Sequence, residues 1–201
     1  VILEGLVTTL NADGGVNLAP MGPIVDEGMR RLVLRPYQTS RTFANLKRTG
    51  QGVFHVTDDV EMLAHAAVGQ VEPPPRLIPA AVEGMPFEGK IIADACRWYA
   101  FRVVSLDDRQ ERTHIEAEVI ASGVLREFFG FNRGKHAVLE AAILATRTAF
   151  LPAEEIRADL RRLRPLVEKT GGPAEHRAWE FLAACIERAL NAAGDAALRN
   201  V

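Results

Sequence analysis

The periodicity of apolar residues changes once along this chain, and that change constrains its fold more than any other feature. Up to about Leu125, short β-branched runs alternate with turn residues. From about Asn132 onward, apolar residues recur at three- and four-residue intervals, the spacing of helix faces. Strands followed by helices imply an α+β chain, read here as a β-barrel over residues 1–130 and a helical subdomain over 131–201. A length of 201 residues accommodates one such domain with an appendage.

Six strands are expected, over residues 2–10, 16–24, 31–34, 52–57, 97–106 and 113–125. Asn11-Ala12-Asp13-Gly14-Gly15 turns the first into the second, because Asn, Asp and Gly tolerate positive φ. Hairpin-type connections favour an antiparallel barrel over a parallel sheet. One short helix is expected from Arg41 to Thr49, ended by Gly50. Another is expected near Asp58, where Glu61 three residues on gives a capping-box pattern and Asp58 and Asp59 read as caps. Glu72-Pro73-Pro74-Pro75-Arg76 reads as an exposed loop. Helices are expected over residues 135–148, 153–168 and 173–193. Arg157, Arg161, Arg162 and Arg164 form a solvated basic face on the middle one.

Several function classes lose support at this level. A formal charge of −2 supplies no basic field for nucleic acid. No apolar run reaches the roughly 18 residues of a membrane span. Cys96 and Cys185 match no metal spacing and no disulfide framework. They read as buried or half-buried thiols in a reducing compartment, and with no secretory signal visible a cytoplasmic location is expected. His55, His65, His114, His136 and His176 are dispersed, so no metal is expected, and His55 reads as a satisfied strand histidine. No Gly-x-Gly-x-x-Gly fingerprint is present for a Rossmann nucleotide site.

The most informative chemistry lies between Arg35 and Asn45. A helix starting at Thr39 or Ser40 leaves backbone N–H groups unpaired at its positive end. Helices usually place Asp or Glu there. This one places Arg41, with Arg35 just before it, and no acidic residue occurs between Val33 and Val56. Hydroxyls, amides and guanidinium groups converge where a phosphate fits, although an ordinary capped surface helix explains the same residues. The second feature is Asn17-Leu18-Ala19-Pro20-Met21-Gly22-Pro23. Two prolines remove ladder donors, leaving amides at Ala19, Met21 and Gly22 for a flat heterocycle, or for an edge strand leaving the barrel.

Together these segments resemble the FMN-binding split-barrel superfamily, whose flavin reductases and flavoredoxins show similar Asn-x-Ala-Pro and Ser/Thr-x-Thr-x-x-Asn stretches. Phe131-Asn132-Arg133-Gly134-Lys135-His136-Ala137, Glu140-Ala141 and Ala145-Thr146-Arg147 are similar to one branch, a domain of unknown function. That branch is found mainly in archaea and in some bacteria with methanopterin-linked one-carbon metabolism. The resemblance implies a six-stranded antiparallel split barrel that forms a homodimer, with FMN at the interface. Arg35, Thr39, Ser40, Arg41 and Thr42 would hold the phosphate. Asn17, Ala19, Pro20, Met21 and Gly22 would line the isoalloxazine, and Asn45 matches the pattern as a brace for the helix. The implied function is a flavoprotein oxidoreductase acting by hydride transfer on a small molecule. The alternatives are a non-catalytic FMN carrier or sensor, and a split barrel that holds deazaflavin or haem. No side chain stands out as a catalytic acid or base. Trp98 and Tyr99 read as barrel core or a dimer contact, with cover for a flavin from the partner subunit as the alternative. Phe128, Phe129 and Phe131 read as seating for the helical subdomain, with reach into the ligand cleft as the alternative.

Overall fold

The computed structural model describes residues 1–69 and 71–199, with side chains described as far as residue 192 except at 70. The chain forms two units: residues 1–58 with 73–128, and residues 59–72 with those from 129 onward. The second unit therefore includes a stretch from within the 1–130 span, and positions 200 and 201 lie outside the described residues.

The first unit contains β1 (Gly5–Leu10), β2 (Val16–Met21), β3 (Ile24–Val25), β4 (Arg31–Leu34), α1 (Arg41–Thr49), β5 (Gln51–Val56), β6 (Leu77–Pro79), β7 (Lys90–Ile92), β8 (Arg97–Asp107) and β9 (His114–Val124). Seven of these strands make one antiparallel sheet in the order β2-β1-β5-β8-β9-β4-β3. The sheet then curls on itself. Leu3 N–H donates to the Pro23 carbonyl at 3.1 Å, and Val25 N–H donates to the Val1 carbonyl at 2.8 Å. The segment leading into β1 thus meets β3, while β2 stays at the edge.

This is the expected antiparallel split barrel with helices after it, but the strand count differs. The single strand expected over 16–24 is two strands: β2 pairs with β1, and β3 pairs with β4. Gly22 and Pro23 separate them, since Pro23 carries no ladder donor at the point where the chain changes partners. Pro20 is tolerated inside β2, opposite Leu6, because an edge strand can leave one side unpaired. β6 and β7 form a separate two-stranded ribbon that was not expected. Three residues each, beside prolines and glycines, are too short for a period-two signal.

The barrel core gathers Val7, Leu32, Leu34, Phe54, Phe101 and Ile115, all fully buried. Burying each Phe contributes roughly 2–3 kcal/mol. Trp98 and Tyr99 pack half-buried against core clusters, as expected. α1 presents Thr42, Phe43, Asn45 and Leu46 inward. It ends at Gly50, whose φ of 63° lets its N–H reach the Leu46 carbonyl at 2.9 Å.

The second unit contains α2 (Val60–Ala67), α3 (Arg133–Ala145), α4 (Ala153–Thr170) and α5 (Pro173–Arg199). Leu144, Ile156, Ile186 and Leu190 form its buried cluster. Pro165 sits inside α4 without ending it; Arg161, whose carbonyl loses its helix donor, is exposed. Asp59, not Asp58, caps α2 by accepting from Met62 N–H at 2.9 Å. The start at Val60 moves Glu61 out of the capping-box position, and its carboxylate pairs with Arg177 at 2.7 Å instead.

Candidate functional site

The start of α1 is built as its residues require. Ser40 has extended backbone and its Oγ accepts from Phe43 N–H at 3.1 Å, a standard N-cap. No acidic residue occupies the first turn, and the last turn carries Lys47 and Arg48. The positive pole therefore carries no compensating carboxylate of its own. Arg35, Thr39 and Arg41 are exposed around it, and among the described residues neither guanidinium has an ion-pair partner.

The loop before the helix is held by the β8–β9 turn. Gln38 donates from its backbone to Glu111 and from Nε2 to the carbonyls of Asp108 and Gln110. Thr113 N–H and its hydroxyl both reach the Pro36 carbonyl. The Arg112 guanidinium lies 5.0 Å from the Tyr37 ring centroid. Lys47 pairs with Asp108 at 2.7 Å. The start of α1 thus sits on a braced turn rather than on a free loop.

β2 supplies the second set of expected residues. Asn17, Ala19, Pro20, Met21 and Gly22 are all half-buried, and β2 lies at the sheet edge, so alternate backbone groups face away from β1. The Met21 side chain packs on the barrel core, leaving its backbone as the part available to a ligand. A Cβ at Gly22 would lie 2.7 Å from the Glu4 carboxylate, so the missing side chain makes room within the chain itself.

The two sets meet at one hydrogen bond: Asn17 Nδ2 donates to Thr42 Oγ1 at 3.1 Å. The same Nδ2 donates to Thr9 Oγ1 at 3.3 Å, and Asn45 Nδ2 donates to Thr9 at 3.0 Å and to Asn11 Oδ1 at 2.9 Å. Thr9, Thr42 and Asn45 are buried. Thr9 was not expected at the site, and Asn11 was expected only as a turn residue. The available signal was two polar residues, Thr42 and Asn45, at i and i+3 on the apolar face of α1, which demands polar partners beneath.

Other groups are accounted for within the fold. His55 is fully buried: Nδ1 lies 3.2 Å from the Leu6 carbonyl and Nε2 accepts from Ile92 N–H at 3.1 Å. It is a neutral imidazole joining β1, β5 and β7. Burial lowers its pKa to about 4, against the opposing pull of the Leu6 carbonyl. The Cys96 thiol is buried, and desolvation raises its pKa. Asp58 is clamped by Arg126 through two hydrogen bonds, the shorter 2.5 Å. The arginines of α4 mostly pair with acids, Arg157 with Glu187 and Glu154 and Arg164 with Glu168. Phe128, Phe129 and Phe131 are 47%, 73% and 97% exposed, so these rings do not act as buried seating. Among the described residues no cluster of His, Cys, Asp and Glu is arranged to hold a metal. None of their helices is long and apolar enough to cross a membrane.

A family model described as the N-terminal domain of a protein of unknown function, DUF447, matches residues 3–126. Its companion DUF447 model matches residues 132–184. The crystal structure of an FMN-bound protein from Methanosarcina mazei, assigned to the same family model, superposes with a TM-score of 0.77 at 22% identity. That match covers 92% of this chain and 94% of the other. Flavoredoxin from Methanosarcina acetivorans matches 61% of this chain and 68% of its own, at 14% identity and a TM-score of 0.51. A flavin reductase domain protein from Arthrobacter matches 62% of this chain and 79% of its own, at 15% identity and a TM-score of 0.50. At these identities the likeness is one of fold.

Proposed function

We propose, from the premise that this chain belongs to the DUF447 family, that it is an FMN-binding flavoprotein and works as a homodimeric oxidoreductase. The observation that carries the reading is the start of α1. It has a Ser40 cap, no acid in the first turn, and Arg35 and Arg41 without carboxylate partners among the described residues. The donor set fits the phosphate of FMN, because a dianion supplies the charge that the helix pole and the two guanidinium groups lack. Support comes also from the family member of Methanosarcina mazei, which has FMN bound and matches nearly the whole chain.

FMN, when bound, supplies the hydride chemistry. The chain's own residues bind and orient. Arg35, Thr39, Ser40, Arg41 and Thr42 grip the phosphate, while Asn17, Ala19, Pro20, Met21 and Gly22 offer backbone groups along the β2 edge to the ring system. In one chain Arg35, Thr39 and Arg41 are exposed and the β2 residues are half-buried. A second subunit laid over them would supply the missing wall and exclude water. That geometry favours the homodimer.

A second reading, a non-catalytic FMN carrier or sensor, draws on the exposed Phe129, Phe131 and Phe150 of the helical unit, which suit docking. The purified protein separates these readings. A flavin absorption spectrum together with oxidation of a reduced nicotinamide supports the oxidoreductase. Flavin bands without turnover with any donor favour the carrier. A haem Soret band, or a colourless protein that ignores added FMN, overturns both.

A further inference from the structure

We infer that Asn17 and Asn45 are positioning residues, Asn17 directly and Asn45 through Thr9, which hold the Thr42 hydroxyl as a donor toward the phosphate of the ligand. The inference rests on the FMN reading above and concerns how the same site tells a phosphorylated flavin from an unphosphorylated one.

The direction of each hydrogen bond carries the inference. An amide nitrogen only donates, whereas a hydroxyl both donates and accepts. Asn45 Nδ2 donates to Thr9 Oγ1 at 3.0 Å and to Asn11 Oδ1 at 2.9 Å, which uses both its protons. Asn17 Nδ2 likewise uses both, at 3.3 Å to Thr9 Oγ1 and 3.1 Å to Thr42 Oγ1. Thr9 Oγ1 is therefore an acceptor twice over, and Thr42 Oγ1 is an acceptor from Asn17. The remaining capacity of Thr42 is its hydroxyl proton. Threonine in a helix commonly gives that proton to the carbonyl four residues back, as Thr49 does to Asn45 at 3.0 Å. Thr42 makes no such bond among the described residues.

The placement gives that proton a use. Thr42 is the second residue of α1, in the turn that holds the unpaired amides. It is 3% exposed, so its rotamer is set by packing and by Asn17 rather than by solvent. Thr9 and Asn17 are cross-strand partners in the β1–β2 register, so the relay begins on a rigid ladder. Asn45, one turn along α1 from Thr42, ties the helix to the same Thr9. A buried hydroxyl held in this way donates to an incoming phosphate oxygen without reorganising. Riboflavin has no phosphate there and gains nothing from it.

The test is a double-variant cycle on the full chain, with dissociation constants measured for both FMN and riboflavin. Thr42→Val removes the hydroxyl at nearly constant volume and is expected to weaken FMN about tenfold, the loss typical of one hydrogen bond to a charged group. Riboflavin affinity is expected to stay within about twofold. Thr42→Ser keeps the hydroxyl and is expected to retain FMN affinity. Asn17→Ala is expected to reduce the preference for FMN over riboflavin several-fold in the wild-type background, and to leave it unchanged in the Thr42→Val background. Thermal melting checks that each variant is folded, and Asn17→Ser, which keeps a small donor, replaces Asn17→Ala if that variant unfolds. Losses of preference that multiply in the double variant, or equal losses for both flavins, overturn the positioning role while leaving FMN binding in place. A wild-type chain that binds neither flavin overturns the FMN reading and this inference together.

Discussion

Acidification should weaken the barrel unit through His55, by an amount the structure sets. In the unfolded chain this imidazole takes up a proton near its ordinary value of 6.5, whereas in the fold burial holds its pKa at about 4. Above pH 6.5 it is neutral in both states and the pairing is intact. As pH falls from 6.5 toward 4, the unfolded state binds a proton that the folded state refuses, so stability drops as pH drops. At about 1.36 kcal/mol per pH unit, the loss across that window is about 3 kcal/mol. Protonation would also break the fold locally, because Nε2 could no longer accept from Ile92 N–H on β7. The assay is urea unfolding at pH values from 7.5 down to 4.5, followed by fluorescence of Trp98 in a Trp179→Phe background, so that the barrel alone reports. His55→Gln serves as reference. It lacks the titration and is expected to be less stable at pH 7 by about 1–3 kcal/mol, since it cannot reach both partners. The wild-type advantage over this variant should shrink steadily as pH falls. A constant difference between pH 7 and 4.5 would refute the buried neutral histidine.

Arg126→Met should cost the barrel about 2–3 kcal/mol in urea unfolding, because Asp58 is left buried without its guanidinium partner. Asp58→Asn with Arg126→Met should recover part of that loss. Gly134→Ala should lower the melting temperature of the helical unit read by Trp179, since the new Cβ would sit 2.9 Å from the backbone of Gly171. The cost expected is about 1–3 kcal/mol for overpacking against main chain. An unchanged melt would mean that α3 and the α4–α5 turn separate more easily than their contact implies.

The elements that could be read from the sequence are those whose signals are local. Ser40 and Gly50 bound α1 as their residue types require, and the hairpin at Asn11–Gly15 falls where its turn chemistry puts it. Long strands β8 and β9 and the stripes of α3 to α5 show clear periods. What was missed depends on partners far away in sequence. The break of the 16–24 strand is visible only once β3 is seen beside β4, and the β6–β7 ribbon only once its six residues face each other. Asp59 takes the cap of α2, while Asp58 is held by Arg126, 68 residues further on. The polar contacts beneath the first turn of α1 are of the same kind. Asn17 and Thr42 are 25 residues apart, and although each was expected at the site, the bond between them is visible only once the barrel folds. The carboxylate-free helix start could be read directly, since it is a matter of which residue types occupy one turn.

The most direct measurement compares FMN with riboflavin on the wild-type chain and on a variant carrying both Arg35→Ala and Arg41→Ala. The two flavins share a ring system and differ by the phosphate that these guanidinium groups and the first turn of α1 are proposed to hold. The double variant is expected to weaken FMN by about two orders of magnitude, from two charge-assisted contacts, and riboflavin by less than about threefold. Equal losses for both flavins, or an undiminished FMN affinity, would contradict the assignment of the phosphate to the start of α1.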